Sequence, residues 1–69
     1  MIGVFKTNIR EAAQADSIIA LLLQHFPGTR VNIDLHDCDK VLRVEGGDFL
    51  PASIVQLVND NGFICGVLE

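Results

Sequence analysis

Residues 31–45 read VNIDLHDCDKVLRVE, and this stretch decides the fold. Val31, Ile33 and Leu35 alternate with Asn32, Asp34 and His36, the period-two pattern of a strand with one buried and one wet face. Asp37, Cys38 and Asp39 interrupt it with turn-forming residues, and residues 41–45 resume an extended pattern, so the pair predicts a hairpin. Gly46, Gly47 and Asp48 close it off.

On the N-terminal side, Pro27 and Gly28 are punctuation. Before them Ala15, Ile18, Ile19, Leu22, Leu23 and Phe26 recur at the spacing of one broad helical face. Asn8 followed three residues later by Glu11 has the form of a capping box, which predicts the helix start there. Residues 2–7, IGVFKT, predict a first strand. Its parity has two solutions, with either Ile2, Val4 and Lys6 or Phe5, Thr7 and Ile9 facing the core. The second is favoured because it ends on an apolar residue at the helix entrance. On the C-terminal side, Pro51 suits a first helical turn, and Leu50, Ile54, Leu57 and Val58 follow at helical spacing. Asn61 and Gly62 predict the end of that helix, and residues 63–68 a last strand.

Two βαβ halves around a central hairpin predict an α+β fold, the ferredoxin-like βαββαβ sandwich. Its four-stranded antiparallel sheet has the order 4-1-3-2, with both helices on one face. At 69 residues the chain holds one domain, residues 1–69, and one core.

Nine acidic residues against five basic ones give a net charge of −4, the wrong sign for neutralising phosphates, so nucleic acid is not an expected partner. The longest apolar run, Ile18 to Leu23, is far too short to cross a bilayer. Met1 leads directly into a strand pattern without a signal-type segment, which makes the cytoplasm the expected location. Cys38 and Cys65 are too few for a disulfide framework.

Phe26-Pro27-Gly28, the strand at residues 31–35, the strand at 41–45, Ile54 with Leu57, and Asn61-Gly62-Phe63 together resemble the heavy-metal-associated domain family. The resemblance covers about two thirds of the chain. In that family the first loop carries a Met-x-Cys-x-x-Cys motif that holds a soft cation. Counting back from Pro27, its cysteines should fall near Ala12 and Ala15, where residues 7–15 read TNIREAAQA. No thiol, thioether or imidazole stands there, and a methyl group cannot donate to a metal. The resemblance therefore implies the fold and a habit of docking onto other domains, with no cofactor.

His36 and Cys38 are the residues of ligand type left for a divergent metal site, at the hairpin tip. Two ligands fall short of the four a structural zinc site uses. Strands two and four lie on opposite sheet edges, about three strand spacings or ~14 Å apart, too far for Cys65 to join Cys38. The simpler reading makes Asp37 and Asp39 turn formers and Cys65 a small core residue. His25 near a helix end suits the negative pole of the dipole. No nucleophile, base and orienting third group can be assembled, so no enzyme is expected. Residues 41–44 offer no aromatic on which a base could stack.

With helices on one face, the sheet back should be polar, yet Ile2, Val4, Val41, Ile64 and Leu68 fall on it under the favoured parity. If that register holds, a contiguous apolar patch marks an interface with a partner protein or a second copy. Otherwise strand one or four is shifted, or these residues serve strand propensity. The expected function is a non-enzymatic interaction module, with metal binding at His36 and Cys38 as the alternative.

Overall fold

The computed structural model describes residues 1–68. Among them are four strands and two helices, in the order β1 (Ile2–Thr7), α1 (Ala12–His25), β2 (Arg30–Asp34), β3 (Val41–Glu45), α2 (Pro51–Asp60) and β4 (Cys65–Val67). The strands form one open antiparallel sheet in the order β2-β3-β1-β4, which is 4-1-3-2 read from the β4 edge. The architecture is α+β.

The pairing sets the two faces. Val31 lies opposite Val44 and Ile33 opposite Leu42. Gly3 and Phe5 lie opposite the same Val44 and Leu42, while Phe5 and Thr7 meet Val67 and Cys65. One residue of phase thus puts Phe5, Leu42, Val44 and Cys65 on a common face. Ala15, Ile18 and Leu22 of α1 and Ile54 and Val58 of α2 close over it as a single core. Ile9, in the loop before α1, is fully buried as well. The favoured parity of β1 is the observed one, with Phe5 and Ile9 inside and Thr7 half-buried.

Three local expectations are corrected. The helix does not start at Asn8: residues 8–10 remain irregular, and α1 begins at Ala12 after the N-cap Glu11. There the Gln14 Oε1 accepts from the backbone N–H groups of Arg10 and Glu11 at 3.4 and 3.3 Å, the reaching-back half of a capping box one turn later than expected. The cause is Ile9, which is fully buried in the core from the irregular segment before the helix. Asn8 joins β1 to the chain entering β4, its Oδ1 accepting from the Ile64 N–H at 2.8 Å. Secondly, Leu50 does not belong to the apolar face of α2. It is the N-cap, 70% exposed, and Phe49 enters the core in its place. Thirdly, β2 ends at Asp34, whose Oδ1 accepts from the His36 N–H at 3.0 Å and turns the chain before Leu35 and His36 can continue the strand.

The turn between β3 and α2 requires its glycines. Gly46 and Gly47 have φ of +84° and +63°, and a Cβ on Gly46 would lie 3.2 Å from the Gly28 carbonyl oxygen.

Candidate functional site

The first loop, where the family resemblance puts metal ligands, is built as structure. Ala12 is exposed in the first turn of α1 and Ala15 is a buried methyl in the core. The polar side chains around them are engaged internally: the Thr7 Oγ1 donates to the Lys40 carbonyl at 2.7 Å, Asn8 holds Ile64, and Gln14 caps α1. These residues do not fit a soft cation.

At the hairpin tip, the ligand-type atoms of Asp37, Cys38 and Asp39 lie within 4.8 Å of one another. His36 is not part of that group among the described residues, although it is next in sequence. The Asp37 Oδ1 accepts from the Asp39 N–H at 2.8 Å, so this carboxylate also shapes the turn. Cys38 is exposed, and Cys65 is buried on the core face of the edge strand β4. Cys38 stands in the turn between β2 and β3, whose Asp39 carbonyl accepts from the Thr7 N–H at 3.0 Å, and Cys65 lies opposite Thr7 on β4.

Burial pushes the Cys65 thiol up to about 11, because the thiolate would lose its hydration. Two outcomes are expected. Under native conditions an alkylating reagent modifies Cys38 and spares Cys65, and both react after unfolding. Because the folded value lies above the unfolded one, Cys65 favours the fold while both states keep the proton. That contribution falls as pH rises from about 9 towards about 11, where the unfolded thiol ionises first. Equal labelling of both thiols at neutral pH would contradict the burial.

The sheet back carries all five expected interface residues, but as a broken surface. Ile2 and Ile64 are 68% and 69% exposed, while Val4, Val41 and Leu68 are half-buried. Ile2 and Val4 follow each other on β1, and the Leu68 N–H donates to the Val4 carbonyl at 2.9 Å, so these three adjoin. Arg43 lies opposite Val4 on β3. Lys6 is paired with Gly66, and its side chain lies over that glycine, with Cε 3.5 Å from where a Cβ would be. Lysine thus fills the place between Leu68 and Ile64. The contiguous apolar patch expected from alternation is divided by two cations.

At Arg43 lies a cleft of about 380 Å³ lined by Val4, Val41 and Leu68 on one hand and Asn32, Asp34, Asp37 and Arg43 on the other. In the sequence the polar half is indistinguishable from the ordinary wet side of a strand, to which Asn32 and Asp34 belong. A signal was present in Arg43, a single charge between the apolar residues Leu42 and Val44. A second apolar hollow, of about 460 Å³, gathers Met1, Phe26, Phe49 and Leu50 with Asp48 near the N-terminus. Among the described residues no helix is long and apolar enough to cross a membrane. Compared with protein-family models, curated proteins and solved structures, the chain matches none, so fold and site rest on its own residues.

Proposed function

We propose that the chain is a non-enzymatic protein-interaction module with a ferredoxin-like βαββαβ fold, a divergent domain of heavy-metal-associated type that has exchanged its metal loop for an ordinary helix start. The observation that carries this reading is the sheet back, where exposed Ile2 and half-buried Val4 and Leu68 form an apolar strip beside Arg43 and its cleft. Apolar side chains next to a single guanidinium are the composition of a docking surface, since an aromatic or aliphatic anchor can fill the cleft while Arg43 meets a carboxylate or carbonyl of the partner. The helix start at Ala12 and Ala15 supports the loss of metal transfer.

The test is pull-down with the wild-type chain and with a Val4→Asp, Leu68→Asp variant. The proposal expects a partner retained by the first and lost by the second, with unchanged circular dichroism. Identical capture by both would remove the sheet back from consideration.

A second reading is a metal site at the hairpin tip, favoured by the approach of Asp37, Cys38 and Asp39. One thiolate with two carboxylates is a mixed donor set, one short of the four ligands of a structural zinc site. Titration with zinc and with copper(I), followed by Cys38 thiol reactivity, decides it. Protection of Cys38 at micromolar metal would support this reading, and unchanged reactivity would end it.

A further inference from the structure

We propose that β2 pairs edge to edge with β2 of a second copy of this chain, antiparallel and centred on Asn32, joining two four-stranded sheets into one of eight strands. The pairing uses the free backbone edge of β2 and not the apolar strip, although Asn32 and Asp34 also line the cleft beside Arg43, and the inference does not depend on the reading above.

The argument starts from which backbone groups β2 leaves open. In an antiparallel ladder, residues that exchange hydrogen bonds alternate with residues whose N–H and C=O point away. The Gly46 N–H donates to the Met1 carbonyl at 2.8 Å, so in the observed register Gly3 with Val44 and Phe5 with Leu42 are the bonded pairs of β1 and β3. Val41, Arg43 and Glu45 therefore turn their backbone groups towards β2, where they face Asp34, Asn32 and Arg30. Val31 and Ile33 are left with N–H and C=O directed out of the sheet.

The opposite edge is blunted. β4 spans three residues, and the bonds Asn8 N–H to Ile64 O and Leu68 N–H to Val4 O leave the backbone groups of Cys65 and Val67 pointing away from β1. The outward N–H of Cys65 already donates to the Asn59 Oδ1 at 3.2 Å. Short length and a side-chain cover are devices that keep an edge from pairing. β2 is five residues long, and it contains neither proline nor glycine.

The sequence of β2 is self-complementary. Reading Arg30-Val31-Asn32-Ile33-Asp34 against itself about Asn32 sets Arg30 opposite Asp34 twice, Val31 opposite Ile33 twice, and Asn32 opposite Asn32. Val31 and Ile33 are the residues with outward backbone groups, so this register has the parity that lets their hydrogen bonds form. Arg30 and Asp34 are exposed, and because Asp34 uses Oδ1 for the His36 N–H, its Oδ2 is the oxygen that receives the guanidinium. Sliding the strands by two residues keeps the backbone parity but forfeits both Arg–Asp pairs. Parallel pairing would set like charges together. Charges on an edge usually discourage pairing. Here their order selects one partner in one register.

Sedimentation of the full chain from micromolar to millimolar concentration tests the proposal. The wild type is expected to shift from monomer to dimer. Arg30→Asp and Asp34→Arg, each of which turns two attractive cross-strand pairs into repulsive ones, should each weaken the dimer by about tenfold or more. An equimolar mixture of the two variants should restore it, because every facing pair is again of opposite sign. Amide exchange at Val31 and Ile33 should slow with rising protein concentration in the wild type. Asp34→Arg also removes the acceptor of the His36 N–H, so circular dichroism and unfolding midpoints of both variants are compared with the wild type, and Arg30→Asp, which breaks no such bond, carries the charge test by itself if Asp34→Arg alters them. A wild type that stays monomeric at every concentration, a dimer indifferent to both variants, or a mixture that fails to associate would each overturn the proposal.

Discussion

Replacing Phe5 with alanine is expected to cost about 3–5 kcal/mol of unfolding free energy, read as a large fall in the urea midpoint. Phe5 is fully buried at the centre of the sheet, paired with Leu42 on one side and Val67 on the other. Truncation removes the ring's transfer energy and leaves a cavity in the single core that the sheet shares with both helices, which cannot fully collapse into it. A chain of this length has roughly 3–10 kcal/mol of stability in total, so much of the variant should be unfolded at room temperature. A loss below about 1 kcal/mol would show that the core does not centre on this ring.

The second large effect is expected at Gly3. Strand propensity alone would favour valine at this second position of β1 by up to ~1 kcal/mol. The structure reverses the sign. A Cβ on Gly3 would lie 2.8 Å from the Phe5 Cε1 and 3.0 Å from the Phe49 Cε2. Both rings are buried and cannot swing away without opening the core. Gly3→Val is therefore expected to destabilise by about 3 kcal/mol, the upper part of the range for overpacking. Gly3→Ala should lose less, and thermal unfolding of the two variants beside the wild type would give the order. A stabilised valine variant would mean that the Phe5 and Phe49 rings have room to move.

These two positions show where sequence reading reaches its end. Phe5 was legible as a core residue because its parity with Ile9 led into the helix. Gly3 was not, since the ring that crowds it, Phe49, stands 46 positions away and belongs to no periodic pattern. The same division runs through the ends of the helices. Pro51 marked the start of α2 by its missing N–H, and Asn61 with Gly62 marked its end. The start of α1 was displaced to Glu11 because burial of Ile9 outweighed the capping signal at Asn8. On the sheet back, alternation identified which residues share the face. It was blind to the reach of Lys6 across Gly66, a cross-strand relation between β1 and β4.

By itself the sequence determined the element types, their order and that the first loop carries no thiol, thioether or imidazole, because periodicity, turn residues and side-chain donors are local properties. The tertiary structure decided which strand edge is open, which is blunted by Asn59, and how the apolar back is divided by Lys6 and Arg43. Those are properties of register. A backbone group or side chain acquires them from the strand laid beside it, and residues far apart in sequence become neighbours only when the sheet has formed.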